Sequence, residues 1–595
     1  TRPDPQFSLR NLLKPVRWAL IVVGLLVVAD AVGSMSLPTL VRSGIDNGVL
    51  TKTADGLWFA AGLGLVIVAA NWVVSSTNAV FTARLGERLL FLLRVRSYAH
   101  LQRLGLDYYE REMAGRIMTR MTTDVDALST FLQTGLAQAV VSLLTVGGVA
   151  VALLVTDLAL ALVALAVVPI LVVVTVVFRR LSSRAYTEAR EKVSVVNADM
   201  QENVSGVRVA QAYVREERSA EAFSERSDAY RRSRMRAQRY IAGYFPAVAF
   251  MSDIAQAAVL GVGAARVASG GLTPGILTAF LLYLGLFFTP VQQLSQVFDG
   301  YQQARVGLRR ISDLLRTPTS LSQVPAAEEI AVPERLRGEV ELRDVGFTYA
   351  GTDERALSDV RLRVGAGETV ALVGATGAGK STMAKLIARF YDVGEGSLLV
   401  DGVDVRRYPL QRYRQRLGFV PQEPHLFTGD VAANIAYGRP DASPAEIESA
   451  ARAVGALGLV RSLPGGFRHR VGERGQGLSA GQRQLIALAR AELVDPDLLI
   501  FDEATAALDP ATEAAVLEAG DRLTSKRTSF VVAHRLATAA RSDRIVVLDG
   551  GRIVEEGPHA ELVAAGGRYA ALWRAGELEP AAEAAEEDVS AARSA

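Results

Sequence analysis

Six apolar segments in the first half of the chain constrain its fold more than any other feature. Each is close to the ~20 residues that a helix needs to cross the hydrocarbon core of a bilayer. Within that core every backbone N–H and C=O must be paired inside the protein, and a helix achieves this within a single segment. The sequence therefore predicts six transmembrane helices, at residues 18–40, 57–81, 136–155, 158–178, 244–267 and 275–298.

The connections between these segments predict their orientation. The connections after the third and fifth segments are short and lack Lys and Arg, whereas those after the second and fourth are long and have helical periodicity. The basic residues near the other membrane ends are Arg2, Arg10, Lys14, Arg17, Arg84, Arg88, Arg94, Arg96, Arg179, Arg180 and Arg184. The positive-inside rule then predicts a multi-pass protein of the cytoplasmic (inner) membrane, with both termini and both long segments in the cytoplasm.

The first segment has an alternative interpretation as a signal peptide. A basic start, an apolar run and the small-residue triplet at residues 29–31 are typical of a cleavable leader. The apolar character continues to Leu40, however, and five remaining spans would place one long basic loop on the wrong side. We therefore favour a first transmembrane helix and keep cleavage as the alternative.

The composition predicts that an apolar half is joined to a soluble half. Hydrophobic residues make up 50% of the 595 residues, yet 22% are charged. The chain has no Cys, which excludes disulfides, thiolate metal sites and a cysteine nucleophile. A formal net charge of +2 gives no reason to expect nucleic acid as a partner.

The change in composition after Arg316 predicts the domain boundaries. Residues 1–316 form the predicted transmembrane domain, and residues 317–337, which contain three prolines, form a linker. Strand-like and helical runs then alternate over residues 338–577, and the Ala/Glu-rich residues 578–595 form a disordered tail. The predicted fold class is multidomain: an all-α six-helix transmembrane domain with long cytoplasmic helical extensions, followed by an α/β P-loop ATPase domain.

A complete phosphate-loop motif lies in this second half. The stretch "VALVGATGAGKST" is a predicted strand followed by Gly374-x4-Gly379-Lys380-Ser381. The glycines allow the backbone to surround phosphates, and the start of the following helix directs its N–H groups at them. Lys380 is expected to reach the β- and γ-phosphates of ATP, and Ser381 to supply an oxygen to Mg²⁺. The loop also contributes Thr376, Gly377 and Thr382 to the predicted nucleotide site.

The stretch "DLLIFDEATAALD" supplies the acidic residues that such a site requires. Four apolar residues, 498–501, predict a buried strand that carries Asp502 to its C-terminal end, where α/β sheets bind ligands. Asp502 is expected to hold Mg²⁺ through its coordination shell. Glu503 is the candidate catalytic base that orients or deprotonates the attacking water.

Together these motifs resemble the ATP-binding-cassette (ABC) transporters, specifically exporter-type half-transporters with six spans fused to one nucleotide-binding domain. By that resemblance, Tyr349 in "VGFTYAG" stacks on adenine, and Gln422 in "VPQEPHLF" contacts Mg²⁺ and the attacking water. His534 in "VVAHRLAT" holds the γ-phosphate, and "LSAGQ" is the family's signature turn, with Ser479, Gly481 and Gln482. The implied cofactors are ATP and Mg²⁺.

The resemblance also implies that the chain acts as half of a dimer. In this family, the signature turn contacts the γ-phosphate of the ATP that the partner's phosphate loop holds. The signature here has Ala480 where the family usually has Gly. If that position requires a positive φ, Ala costs about 1–2 kcal/mol, and the weakened signature favours an asymmetric heterodimer. If φ is negative the change is nearly neutral, so homodimer and heterodimer both stay open.

The two long segments resemble the intracellular loops that connect hydrolysis to the membrane in these exporters. Their short transverse helices are predicted near residues 112–117 and 205–213, and Glu473 in "RVGERG" resembles the element that contacts them. The predicted function is ATP-driven export of small amphipathic compounds, either drugs or lipids, by alternating access, with membrane lipids as partners. An importer and an ATP-gated conduit or regulatory ATPase are the alternatives.

Polar groups within the predicted spans are the candidates for a substrate pocket. They are Asp30, Asn71 and Asp253. Such groups usually face a bundle interior or an aqueous cavity, because burial in lipid is costly. Hydrogen bonding between helices explains them equally well.

Overall fold

The computed structural model describes residues 14–321, 328–502, 510–533 and 535–575. These residues form two compact units. The first runs to Gln102 and resumes over Ala114–Thr317. The second comprises Arg103–Met113 and the described residues from Pro318 onward, so it is discontinuous in sequence.

Helices build the described part of the first unit, and the short helix α3 between its two pieces belongs to the second. In chain order they are α1 (Arg17–Gly44), α2 (Ala54–Leu101), α3 (Leu106–Arg111), α4 (Ala114–Met121), α5 (Thr123–Thr130), α6 (Leu136–Thr156), α7 (Leu158–Leu165), α8 (Val168–Ser205), α9 (Val207–Ala212), α10 (Glu216–Ala268) and α11 (Pro274–Arg316). Single π-helical turns at Ile45–Val49 and Phe131–Gly135 continue α1 and α5.

Within the described residues, six helical stretches are long and apolar enough to cross a membrane. They are Arg17–Val49, Ala54–Leu101, Ala114–Thr156, Leu158–Ser205, Glu216–Ala268 and Pro274–Arg316. Each of the six predicted spans lies within one of them, so this prediction is confirmed. Large apolar side chains on α1 and α2 face outward, with Trp58 77% exposed, as expected of a surface whose solvent is lipid.

Local sequence explains where several of these helices begin. Asp157 caps α7, because its carboxylate accepts a hydrogen bond from the N–H of Leu160 at 2.8 Å. Thr273 caps α11 in the same way and is followed by Pro274, a residue favoured in the first helical turn. Between α8 and α10, the rings of Phe178 and Tyr244 stack with centroids 4.0 Å apart within the main apolar core of the unit.

Two sheets form the framework of the second unit. Its strands are β1 (Val340–Thr348), β2 (Arg355–Val364), β3 (Thr369–Val373), β4 (Glu395–Val400), β5 (Val403–Asp404), β6 (Leu417–Val420), β7 (Gly429–Asp430), β8 (Arg470–Val471), β9 (Leu498–Asp502), β10 (Thr528–Val532), β11 (Arg544–Asp549) and β12 (Arg552–Gly557). The larger sheet has the order β12-β11-β3-β10-β9-β6, and the smaller antiparallel sheet has the order β2-β1-β4-β5. Strands β7 and β8 form a separate short pair.

The helices of the second unit cover the larger sheet and form a separate helical layer. They are α12 (Lys380–Ile387), α13 (Leu410–Arg414), α14 (Val431–Ile435), α15 (Pro444–Ala453), α16 (Leu457–Ser462), α17 (Ala480–Val494), α18 (Pro510–Thr524), α19 (Leu536–Ala539) and α20 (His559–Ala565). Helix α12 packs into one hydrophobic core with both sheets, whereas α15 and α17 pack into a second core.

Two predicted segments can be described in more detail. Residues 328–339, within or next to the predicted linker, are irregular and bonded to the rest of the second unit: Leu336 N–H donates to Asp497 at 2.9 Å, and Ile330 N–H donates to Arg407 O at 2.9 Å. The second transverse helix, α9, lies where predicted. The first was predicted near residues 112–117, a range that spans the break between two short helices: α3 ends at Arg111, Glu112 is extended, and α4 begins at Ala114. The predicted tail lies outside the described residues.

A buried arginine supports the interface between α12 and the loop before α13. Arg389 is 1% exposed; it donates to Asp392 at 3.1 Å and to the carbonyl oxygen of Tyr408 at 2.8 Å. We expect Arg389→Leu to lower the opening free energy of the α12–α13 region by about 1–3 kcal/mol, because it removes the donor that pairs with the buried carbonyl oxygen of Tyr408. Hydrogen exchange of the solubilised protein measures this.

A matched control uses a solvent-exposed pair on β2. Arg361, which is paired with Asp344, is 79% exposed. We expect Arg361→Leu to leave exchange unchanged, since exposed ion pairs contribute little. Equal effects of the two substitutions would contradict the role given to Arg389.

Candidate nucleotide site

The phosphate loop connects β3 to α12 and depends on its glycines. Gly374, Gly377 and Gly379 have φ of +154°, +83° and +106°, a region that side chains disfavour. A Cβ on Gly374 would lie 2.2 Å from Leu548 O, and a Cβ on Gly379 would lie 2.7 Å from Leu357 Cδ2. The loop is thus held close to neighbouring backbone in a curve that only glycine allows.

Lys380 begins α12 and lies beneath this loop. Its ammonium donates to the carbonyl oxygens of Gly374 at 2.7 Å and Ala375 at 2.9 Å, and its side chain is buried. Burial lowers the pKa of Lys380, and the charge of nearby Asp502 opposes this effect. The adjacent Thr376 and Ser381 are exposed at the mouth of the loop. A cation and two hydroxyls therefore lie at the position predicted for phosphates.

Tyr349 lies at the end of β1, beside the phosphate loop. Its hydroxyl is 3.0 Å from Thr382 Oγ1, and either oxygen can donate. The edges of Phe347 and Tyr391 contact it, with ring centroids 5.0 and 5.4 Å away. This arrangement fixes the ring next to the loop, as the prediction of adenine stacking requires.

The carboxyl ends of parallel strands bring the remaining candidates to the same edge. Strands β3, β10, β9 and β6 are parallel and adjacent, so the phosphate loop, Asp502 and the residues after β6 all leave the sheet at one end. Gln422 is exposed in the irregular segment that follows β6. Glu503 and His534, which follow β9 and β10, lie outside the described residues, so their predicted roles stay predictions.

The signature turn is a helix start with a capping box. Ser479 Oγ accepts from Gln482 N–H at 3.2 Å, and Gln482 Oε1 accepts from Ser479 N–H at 2.8 Å. Ser479 is exposed, Gly481 is buried, and Ala480 is the first residue of α17, outside the positive-φ residues. The negative φ answers the question raised by the sequence: Ala at this position has no backbone cost.

In the part of the chain that the structure describes, the signature turn and the phosphate loop belong to different hydrophobic cores. Leu478 and the apolar face of α17 belong to the second hydrophobic core, whereas Ala378 and α12 belong to the first. The turn thus begins a helix of a different layer, with Ser479 exposed.

The residues present fit a nucleoside triphosphate with Mg²⁺. The glycine cradle, the buried ammonium and the helix start suit phosphates. Ser381 and Asp502 offer the oxygen ligands that Mg²⁺ prefers. Sequence reasoning missed Lys385 and Tyr391, which adjoin Tyr349, because neither stands in one of the recognised motifs.

Comparison with known proteins identifies the class. A family model for the ABC transporter transmembrane region matches residues 20–291, and a model described as ABC transporter matches residues 357–506. The chain belongs to the ABC transporter family, whose cassette domain binds ATP. This confirms the resemblance and the fold class predicted from the sequence.

Individual relatives agree with this assignment. A multidrug efflux ATP-binding/permease protein of Mycobacterium tuberculosis is 46% identical over 96% of this chain, which spans only 47% of that relative, about half its length. An ATP-dependent lipid A-core flippase of Desulfotalea psychrophila is 33% identical over 92% of this chain and 95% of its own. The solved structure of a bacterial Atm1-family ABC exporter with ATP bound is 28% identical, with a TM-score of 0.78, over 94% of this chain and 98% of that one.

Two glycines with positive φ provide a matched test of the phosphate cradle. A Cβ on Gly379 would also lie 3.0 Å from Ala356 O, whereas a Cβ on Gly402, in the turn between β4 and β5, meets open space. We expect Gly379→Ala to abolish binding of a fluorescent ATP analogue, because the loop must rearrange. Gly402→Ala should bind the analogue like the wild type, since it adds only about 1–2 kcal/mol of backbone strain and lies outside the phosphate loop. Equal losses would contradict this geometry.

The signature residue gives a further prediction. We expect Ala480→Gly to leave ATP turnover within about threefold, because exchanging Ala and Gly in a helical conformation changes stability by only about 0.5–1 kcal/mol. Steady-state phosphate release measures it. A rise of tenfold or more would show that Ala480 does weaken the signature.

Proposed function

We propose that the chain is the ATP-hydrolysing subunit of an ABC exporter that moves amphipathic compounds, either drugs or lipids, across or out of the cytoplasmic membrane by alternating access. The observation that carries this proposal is a glycine-held phosphate loop around the buried Lys380 ammonium, in a chain with six candidate membrane spans. In this proposal, ATP hydrolysis drives a conformational change of the membrane-spanning helices.

The direction of transport is supported by the relatives rather than by the motifs. Their names describe multidrug efflux and lipid flipping, and the solved neighbour is an exporter. These names favour export over the importer on an exporter-like frame. A hydrolytic cycle is favoured over an ATP-gated conduit, since the sequence retains both Glu503 and His534.

Each proposed role follows from chemistry at the sheet edge. Lys380 neutralises phosphate charge, and Tyr349 stacks on the adenine. Ser381, Asp502 and Gln422 hold Mg²⁺, which when bound offsets the charge that develops on the transferred phosphoryl group. Glu503 accepts a proton from the attacking water, and His534 holds the γ-phosphate in line.

The active assembly contains two half-transporters. Ser479 is exposed at a helix start, and a helix start binds anions such as the γ-phosphate of a partner's ATP. Because Ala480 has no backbone cost, the conformational argument for a weakened signature and an asymmetric pair is lost. The partner is either a second copy of this chain or a different half-transporter. Both termini lie on the cytoplasmic side, where ATP is available.

The polar groups within the spans differ in how well they suit contact with a substrate. Asn71 Nδ2 lies 3.3 Å from Ser34 Oγ, and turning its amide places the nitrogen 3.3 Å from Asp30 Oδ1. Asp30 and Asn71 therefore link α1 to α2, which favours hydrogen bonding between helices for this pair. Asp253 is exposed on α10 and is the better candidate for contact with a polar part of the substrate.

Two substitutions distinguish the possible assemblies and test the function. Glu503→Gln removes water activation but keeps the binding groups, so we expect trapped ATP and almost no turnover. In a homodimer, Ser479→Arg places a bulky cation against both γ-phosphates and should stop hydrolysis as completely as Glu503→Gln does. In a heterodimer, the site that contains this chain's Glu503 uses the partner's signature and keeps substantial activity.

The measurement is phosphate release by purified, reconstituted protein, beside the wild type. Equal and nearly complete losses support identical sites, and unequal losses support an asymmetric pair. Near-wild-type turnover of either variant in a complex of this chain alone would contradict the trans-acting site. A wild-type protein that neither binds nor hydrolyses ATP would overturn the proposed function.

A further inference from the structure

A short helix that lies in sequence between the second and third spans is part of the second unit. We call this the nucleotide unit, because it contains the phosphate loop. Helix α3 lies in Arg103–Met113, the inserted segment of the second unit. Leu106 at its start packs against the same hydrophobic core as Tyr349. Its flanking residues continue directly into α2 on one side and α4 on the other. Helix α3 is therefore covalently joined at both ends to helices of the first unit.

One carboxylate on this helix contacts two groups of the nucleotide unit. Glu110 Oε1 accepts from Lys385 Nζ at 2.9 Å, and Glu110 Oε2 accepts from the hydroxyl of Tyr391. Lys385 is 29% exposed and Glu110 39%, so solvent screens the pair only partly. Burial alone would lower the pKa of Lys385, yet the hydrogen bond to Glu110 helps to hold it above its usual value.

Both partners of Glu110 contact the predicted adenine-stacking ring. Lys385 Nζ lies 5.5 Å from the centroid of the Tyr349 ring, and the Tyr391 ring meets it edge-on at 5.4 Å. Lys385 is on α12, the helix that begins at the phosphate loop. Glu110 is thus separated from the Tyr349 ring by a single layer of side chains.

We propose that Glu110 is a positioning residue that holds Tyr349 ready to stack on adenine, so that the position of α3 sets the affinity for the base of ATP. This rests on the proposed function, in which Tyr349 binds adenine. Linkage makes the effect reciprocal: if the docked α3 favours ATP, bound ATP favours the docked α3 by the same free energy. The segment that contains α3, between the second and third spans, would in this way respond to whether adenine is bound beside Tyr349.

The test compares a base-bearing ligand with one that lacks a base. In full-length protein, we expect Glu110→Gln to raise the Kd of a fluorescent ATP analogue at least about fivefold, the lower end of typical coupling between sites. Inorganic tripolyphosphate, measured by competition, should bind unchanged, because it uses the phosphate loop alone. Lys385→Gln and Tyr391→Phe should each weaken ATP in the same selective way, and their effects should not add to that of Glu110→Gln.

The matched control is Arg111→Gln on the same helix. Arg111 pairs with Asp107 within α3 at 2.7 Å, so its loss alters the helix without removing the Glu110 contacts. We expect Arg111→Gln to bind both ligands like the wild type. Equal weakening of ATP and tripolyphosphate by Glu110→Gln, or the same weakening by Arg111→Gln, would show a structural role only and overturn the proposal.

The reciprocal effect is measured without turnover by hydrogen exchange of residues 103–113. ATP should slow exchange of this segment in the wild type and fail to do so in Tyr391→Phe and Lys385→Gln, neither of which alters the segment itself. If ATP protects the segment equally in all three proteins, the coupling through Glu110 is wrong. If the wild type does not bind ATP at all, the proposed function fails first, and the two failures are therefore distinguishable.

Discussion

Parallel pairing of four strands is the constraint on which the nucleotide site depends. Because β3, β10, β9 and β6 run in the same direction, every segment that leaves their carboxyl ends emerges at one edge. Every residue of strand β10 is buried, so a slip in its register would move apolar side chains out of the cores that they occupy. The sheet thereby aligns groups that are far apart in sequence, and the loops need supply only the final geometry.

Much of this could be predicted, because it depends on local patterns with one physical cause. The lengths of the apolar segments predicted the spans, and the glycine spacing predicted a loop that surrounds phosphates. In the structure, the three glycines of that loop have positive φ. The range predicted for the first transverse helix, 112–117, spans the break between α3 and α4, since the charged stretch from Tyr108 to Met113 has no apolar period to fix the limits of a helix. Only backbone geometry shows that α3 ends before Glu112.

Contacts between distant residues lay beyond sequence reasoning for a different reason. Glu110 and Lys385 are 275 positions apart, and neither stands in a motif that predicts a partner. The effect of Ala480 likewise depended on a single torsion angle, which composition does not reveal. In each case the missing information was tertiary: which surfaces meet, and in which conformation a turn is held.

The discontinuity of the second unit changes what counts as a module of this protein. A cassette taken from residue 318 onward lacks α3, which belongs to the same compact unit. A cassette cut out at the linker would leave the apolar contact of Leu106 open to water and Lys385 without its carboxylate. Chimeric transporters should therefore carry residues 103–113 from the same parent as the cassette.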